Sequence, residues 1–465
     1  MQIKLRLTQK HHTALKAHLF PGDGLEAVAV ALCGRRRSFD RHCLTVQSIV
    51  PIPYDECKLR TSARVTWSTD RLIPLLKAAM QNDLGILKIH SHSGGYDFFS
   101  VTDDASDQDV FNSVFGWTDS AFPHASAVMF PQGRMFARAI LPDGSFQPVD
   151  SILIPGDNLY FWRPESGGLL PSFVKRHAQL FGTGTTQRLR EMSAAVVGCS
   201  GTGSPVIEQL ARLGFGRLVL VDPDCVEDKN LNRILNATRE DAYLKRLKVE
   251  VMARAIAAMG FGTELELVAD DLATPRAVKA VAECDVVFGC MDGVEGRHLL
   301  NRLAAYYVLP YFDVGVKLEA DGQGSVSEAC GAVHYVRPDG STLHDRNVYT
   351  MAQLKPAGLR RTDPKAYREQ VRVGYIHGVA EDRPAVISIN MQMASLAVNE
   401  FLARLHPYRY DQNADSAIVR TSFIQGATYR ESEGQSSGYF SAHIGKADVR
   451  PLLAMPELSE PEETI

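Results

Sequence analysis

Apolar residues fall along this chain in two rhythms. Up to about residue 150, short β-type runs recur at 27–32 (AVAVAL), 44–50 (LTVQSIV), 84–90 (LGILKIH), 125–130 (ASAVMF) and 134–141 (RMFARAIL). Runs of this length bounded by polar clusters predict strands. A single stretch, 68–80 (STDRLIPLLKAAM), opens on a Ser/Thr/Asp cap and spaces its apolar residues by three and four, which predicts a helix. The mixture predicts an α+β domain over 1–150. Residues 151–175 follow as a connector whose four aromatics, Tyr160, Phe161, Trp162 and Phe173, predict packing on a domain rather than a free tether.

The second rhythm begins near 194. AAVVG leads through a glycine turn to the helical VIEQLARLG and then RLVLVD. Further helices at 245–260, before DVVFGCMD and after it alternate with the apolar strands LELVA, DVVFG and YFDVGV. Alternation of this kind from 194 to about 315, with strands apolar along their whole length, predicts a parallel, doubly wound sheet. A strong helix is expected at 385–405. Residues 411–465 read as an irregular extension whose end, PELSEPEETI, is expected to be a disordered tail.

Composition narrows the classes. The 465 residues are 45% hydrophobic and 22% charged, with 50 Lys and Arg against 54 Asp and Glu. That balance excludes a wholly disordered chain and gives no reason to expect a nucleic-acid or membrane partner. No run approaches the roughly 18 apolar residues a spanning helix needs. The N-terminus lacks a signal core, and the eight cysteines contain no CxxC pair. Reduced thiols in a cytoplasmic protein are therefore expected.

The segment LKIHSHSGGYDFFSVTDDASD carries the most specific chemistry. His90 and His92 alternate along one strand, so both imidazoles leave the same face. Ser100 and Asp103 follow at the expected start of a helix. Two imidazoles and a carboxylate suit Zn²⁺ with a fourth position for water. Glu26, on an early apolar strand, is the candidate base that takes a proton from such a water. This pattern resembles the JAMM motif of JAB/MPN metalloproteases over roughly residues 1–145, with Ser93 standing where the family usually has Pro. The resemblance implies zinc on His90, His92 and Asp103, Glu26 as general base, Ser100 at the oxyanion, and cleavage after a ubiquitin-like C-terminus.

A second candidate site follows the strand ending at Val197. Gly198, Gly201 and Gly203 permit a tight turn where phosphates approach backbone N–H groups, and Asp222 ends the next strand where a carboxylate can accept ribose hydroxyls. The GxxGxG spacing differs from the usual NAD fingerprint. Asp224, Asn230, Arg233 and Lys248 come next, and Asp292 lies in FGCMDG after a later strand. Cations with a well-placed carboxylate suit ATP and Mg²⁺, whereas a nicotinamide cofactor needs no such set.

This stretch is similar to the ThiF/MoeB/ubiquitin-activating adenylyltransferases over about 175–410. The resemblance implies that Asp222 holds ribose, that Asn230, Arg233 and Lys248 handle phosphates, and that Asp292 binds Mg²⁺. It also implies that Arg176 reaches the ATP of a partner protomer in a homodimer. Arg297 and Asn301 match the helix after the Mg²⁺ aspartate. Ser200 replaces the family's middle glycine, and the segments 336–345 and 431–443 lack the family's zinc cysteines. No cysteine follows Cys330, which lies in an expected strand, so the usual thioester nucleophile is missing.

Together the two resemblances imply an α/β chain in which an N-terminal α+β JAB/MPN domain precedes a Rossmann-like ThiF domain, as in bacterial ubiquitin-like conjugation systems. The implied activity is adenylation of a ubiquitin-like protein with a Gly-type C-terminus and zinc-dependent processing or deconjugation of that protein, with a conjugating enzyme as a further partner. Activation of a sulfur carrier is the nearest alternative, and a binding scaffold with decayed chemistry is a third. Dehydrogenase activity is the least favoured.

Overall fold

The computed structural model describes residues 1–164, 169–363 and 384–459, with Lys365, Tyr367 and Glu369 besides. Two compact units result. The first comprises Met1–Gly168, Ala305–Val308 and Phe440–Ala454, and the second Leu169–Ala304, Leu309–Tyr439 and Met455–Ile465.

Among the described residues the first unit contains β1 (Gln2–Arg6), β2 (Val28–Arg37), β3 (Arg41–Pro51), β4 (Cys57–Arg60), β5 (Val65–Trp67), β6 (Gly85–Ser91), β7 (His124–Met129), β8 (Met135–Ile140), β9 (Phe146–Pro148), β10 (Ser151–Pro155) and β11 (Leu159–Trp162). Nine of them form one mixed sheet in the order β11-β10-β1-β3-β2-β6-β7-β8-β9, and β4 pairs with β5 apart. Strand alternation divides the side chains between two faces. Leu87 and Ile89 join Ile3, Leu5 and Ala127 beneath Leu15 and Leu19 of the helix Gln9–Leu19. On the other face Val28, Val30 and Ile86 pack against Leu72, Leu76, Phe111 and Val114, from the helices Leu72–Asn82 and Val101–Thr118.

Three expectations for this unit need correction. Among the described residues the unit carries three α-helices, and the one not expected is Gln9–Leu19, which has few apolar residues but is capped by Thr8, whose side chain accepts from His11 N–H. Residues 151–162 are not a connector, because β10 pairs in parallel with β1 and β11 pairs antiparallel with β10. The C-terminal extension is not uniformly irregular either, and its piece Phe440–Ala454 belongs to this unit. There the Gly445 carbonyl accepts from Gly34 N–H at 3.2 Å and Thr45 Oγ1–H at 2.7 Å. Asp448 accepts from Arg37 N–H at 3.2 Å and from Tyr307 O–H at 2.9 Å.

The second unit contains β12 (Ser193–Val197), β13 (Arg217–Val221), β14 (Glu264–Val268), β15 (Val286–Gly289), β16 (Tyr311–Ala320), β17 (Val326–Val336), β18 (Ile418–Ser422) and β19 (Ala427–Glu431). Their order is β14-β13-β12-β15-β16-β17-β18-β19. The first five are parallel, as their apolar runs predict. The last three pairings are antiparallel, so the sheet is mixed, and β18 and β19 lie within the expected irregular extension. Phe401, on the helix Ile387–Leu405, packs its ring against Phe215, Phe288 and Phe312.

The two cysteine-free segments are joined by charge. Glu433 pairs with Arg337, lies 3.7 Å from Arg346 and accepts from Ser341 N–H at 3.4 Å, while Ser437 N–H donates to Asp345 at 3.4 Å. The final residues 460–465 of the expected disordered tail lie outside the described residues. Among those described, no helix is long and apolar enough to cross a membrane.

Candidate functional site

In the first unit, strand register assembles the predicted metal cluster. His90 is on β6, opposite Val28 of β2, and His92 follows just beyond the strand end. The two Nε2 atoms are 3.2 Å apart. Asp103, in the first turn of the helix Val101–Thr118, brings Oδ1 to 3.0 Å from His90 Nε2 and Oδ2 to 3.5 Å from His92 Nε2. Nitrogen and oxygen ligands of a tetrahedral zinc sit about 2.0–2.1 Å from the ion, hence roughly 3.3 Å from one another. The donor set therefore fits that ion. His92 Nδ1 lies 2.9 Å from the Tyr96 carbonyl, which can only accept, so Nδ1 carries the proton and Nε2 presents its lone pair. Among the described residues these three side chains are the one such cluster of possible ligands.

The surroundings shift the three groups in different directions. Burial lowers the His90 pKa below the usual imidazole value, keeping the ring neutral, with Asp103 opposing. For His92 burial also acts downward, but Asp103 and the Tyr96 carbonyl prevail and the pKa is raised. Burial would raise the Asp103 carboxyl; hydrogen bonds from His90, His92 and Ser100 override it and hold the group ionised, far below its ordinary range.

Glu26 is two residues ahead of β2 rather than on it, and continuing the β2–β6 register places it opposite His92. It is 3% exposed. Burial pushes its carboxyl up to about 7, with His92 and Lys88 opposing and Asp103 assisting. A carboxyl tuned there can take and return a proton at neutral pH. Ser100 caps the helix: its Oγ–H donates to Asp103 Oδ2 at 2.7 Å and its Oγ accepts from Asp103 N–H at 3.2 Å. Its hydroxyl thus orients the carboxylate in this structure.

In the second unit, β13 and β15 flank β12 on opposite sides, so the chain reverses its sheet order at β12. Crevices at such points, outside the carboxyl ends of the strands, are where α/β sheets bind ligands. The loop from Gly198 connects β12 to the helix Gly203–Leu213. Gly198 has φ +95°, and a Cβ on it would meet the Cys290 carbonyl at 2.6 Å. A Cβ on Gly203 would lie 1.8 Å from the Gly198 carbonyl, so both positions require glycine. A Cβ on Gly201 would meet Asn390 Nδ2 at 2.4 Å and Arg233 Cδ at 3.1 Å, so these two side chains border the loop. Asn390 was missed by the sequence reading, because it lies far along the chain at the start of the helix Ile387–Leu405.

Asp222 follows β13 and is buried. Its Oδ2 accepts from Cys199 N–H at 2.7 Å, and its Oδ1 accepts from Asp224 N–H at 2.9 Å and lies 3.4 Å from Lys248 Nζ. A carboxylate has about four acceptor positions, so one is left for a ligand hydroxyl. Burial raises the Asp222 pKa, with Lys248 opposing. Lys248 Nζ also donates to Asp224 Oδ2 at 2.6 Å. Burial would lower the Lys248 pKa, but the two carboxylates raise it and keep the cation charged. Asp292 is exposed just beyond β15, with no ion pair to any described residue.

Other expected residues have different occupations. Asn230 Oδ1 accepts from Glu227 N–H at 3.1 Å and closes its own turn. Arg297 donates to the buried Asp313 at 3.0 Å, and Asn301 is held between Tyr349 O–H and Leu343 N–H. Arg176 is exposed on the helix Lys175–Glu191, and among the described residues no hydrogen bond or ion pair ties it to the glycine loop. Cys330 is in β17, half-buried, with its thiol 3.3 Å from Glu328 Oε1. Burial and then Glu328 raise its pKa, the opposite of an activated thiolate.

Comparison with known proteins gives partial matches. Over 148 residues the chain is 31% identical to the adenylyltransferase and sulfurtransferase UBA4 of Meyerozyma guilliermondii, covering 31% of this chain and 34% of that protein. Over 164 residues it is 29% identical to ubiquitin-like modifier-activating enzyme 5 of Drosophila willistoni, covering 33% and 38%. The matches thus span little more than a third of these relatives' length. A crystal structure of E. coli MccB with ATP aligns at a TM-score of 0.43 with 16% identity, covering 58% of this chain and 74% of that one. The ThiF family model matches residues 174–432, more than half of the chain, and the protein belongs to the ThiF family.

Proposed function

We propose that this protein adenylates the C-terminal carboxylate of a small ubiquitin-like protein with ATP, and that its first unit is a zinc-dependent peptidase of JAB/MPN type acting on the same class of protein. The observation that carries the adenylation reading is the gathering of the Gly198–Gly203 turn, Asp222 and Lys248 at the strand-order reversal of a ThiF-family sheet. In this reading the substrate carboxylate attacks the α-phosphorus of ATP, forming the acyl-phosphate bond of the adenylate as the bond to pyrophosphate breaks. Asp222 accepts a ribose hydroxyl. Lys248, with Arg233 at the loop, offsets charge building on the departing phosphates. Asp292, exposed at the carboxyl end of β15, would hold Mg²⁺.

The near-tetrahedral spacing of His90, His92 and Asp103 supports the peptidase reading. Zinc held there would supply a polarised water and a Lewis acid for the scissile carbonyl. Glu26 would take the proton and deliver it to the leaving amine, while Ser100 keeps the Asp103 carboxylate aimed. Two activities on one chain raise the local concentration of a shared substrate for each.

The test is a double dissociation. Lys248→Ala or Asp292→Ala is expected to abolish adenylation and spare cleavage of a ubiquitin-like fusion, and Glu26→Ala or His90→Ala to do the reverse. Loss of both activities in a folded single variant would refute the two-site reading. One observation favours sulfur-carrier activation over conjugation through an enzyme thioester: the thiol of Cys330 is raised in pKa and bound to Glu328. An adenylate passed directly to an external acceptor would need no such cysteine.

A further inference from the structure

Beside the histidine pair is a second row of buried polar side chains that the proposed chemistry does not use. Lys88, Ser126 and Arg138 stand side by side on β6, β7 and β8, paired Lys88 with Ser126 and Ser126 with Arg138. All three side chains are buried. Asp107, on the helix above and 0% exposed, accepts from Lys88 Nζ at 2.6 Å and from Arg138 Nε and Nη2 at 3.1 and 2.7 Å. Ser106 Oγ takes a further Lys88 proton at 2.9 Å, and Arg138 also pairs with Asp104. The Arg138 guanidinium lies 3.9 Å from the ring centres of both Phe99 and Phe146, and Phe99 adjoins the cap residue Ser100.

The spacing of this row explains what it can do. Lys88 and His90 are two residues apart on a strand, about 6.7 Å. Asp107 and Asp103 are four apart on a helix, about 6 Å along its axis. The helix runs against the strand direction, so Asp107 over Lys88 brings Asp103 over His90. Fixing one pair fixes the other. We infer that Asp107, gripped by Lys88 and Arg138, is a positioning residue that sets the helix register and so delivers Asp103 to the metal ligands. This inference rests on the zinc reading of His90, His92 and Asp103. Such a buried grip is suited to specifying register, because a slipped helix would strand three charges without partners.

Titration of the full-length protein with Co²⁺ and Zn²⁺ against a chromophoric chelator tests this, with the Co²⁺ visible band reporting ligand geometry. Wild type is expected to bind one ion at His90, His92 and Asp103. Asp107→Ala should weaken that binding about 10- to 100-fold and dim the band, read below the variant's unfolding temperature so that only folded protein counts. The near-isosteric Asp107→Asn gives the same reading should the alanine variant misfold. Asp109→Ala, which removes an exposed carboxylate from the same helix, should leave affinity unchanged. Unaltered affinity and spectrum in both Asp107 variants would overturn the register role while leaving the metal site standing. Equal weakening in Asp109→Ala would reduce the effect to bulk charge and also overturn it. Failure of the wild type to bind would sink the zinc reading itself, and this inference with it.

Discussion

Single residues carry the sharpest consequences. Glu26 is buried beside the ligand cluster with its carboxyl raised to about 7. Glu26→Gln is expected to cut cleavage of a ubiquitin-like fusion by about 10²–10⁴-fold while leaving zinc affinity near wild type, a split that loss of a ligand would not produce. Lys248→Ala removes the cation shared by Asp222 and Asp224 and should lower ATP–pyrophosphate exchange by about 10²–10³-fold. Two buried histidines make stability fall with acid. Burial, aided by Arg35, lowers His42 to about 3 in the first unit, and burial, aided by Arg346, lowers His334 to about 3 in the second. The unfolded chain takes a proton near 6.5 that each folded ring refuses. Stability is therefore full above that pH and falls by about 1.4 kcal/mol per unit per histidine as pH drops toward 3. Thermal unfolding from pH 7 to 4 should show both units weakening, and His42→Phe should flatten the slope for the first unit alone.

At the scale of elements, legibility followed pattern strength. The parallel strands β12, β13 and β15 are nearly unbroken apolar runs and were plain in the sequence, as were the glycine turn and the acidic residue after β13. The edge strands β18 and β19 were not, because ATYRE is exposed and polar and becomes a strand through pairing with Ile418–Ser422. The histidine pair and Asp103 were legible because i,i+2 spacing on a strand and a capping box on a helix are both local signals. Asn390 and the Lys88–Asp107 pair were invisible, since they meet only through tertiary register. The turn 337–345 and the segment at 431–437 illustrate the same limit: missing cysteines can be read, but the Glu433 pairing with Arg337 and Arg346 cannot. Glu433→Ala should destabilise the second unit by about 1–3 kcal/mol in thermal unfolding, because it leaves two guanidinium groups short of a partner.

For the whole molecule, the division of the chain into units differs from its division in sequence. The first unit is completed by Phe440–Ala454, which follows the entire ThiF match, so a fragment ending near 150 lacks part of its own fold. Gly445 has φ +71°, and a Cβ there would meet the Val46 carbonyl at 2.2 Å. Gly445→Ala is expected to lower the first unit's unfolding transition by at least about 1–3 kcal/mol and to leave pyrophosphate exchange unchanged. Carboxylate activation is the central chemistry proposed for this protein. Its most direct measurement is incorporation of labelled pyrophosphate into ATP by the full-length protein, with a ubiquitin-like β-grasp protein supplied intact or lacking its terminal glycine. Exchange is expected to require the intact terminus and to disappear in Lys248→Ala; no exchange with any such protein, or exchange indifferent to the terminus, would refute carboxylate activation.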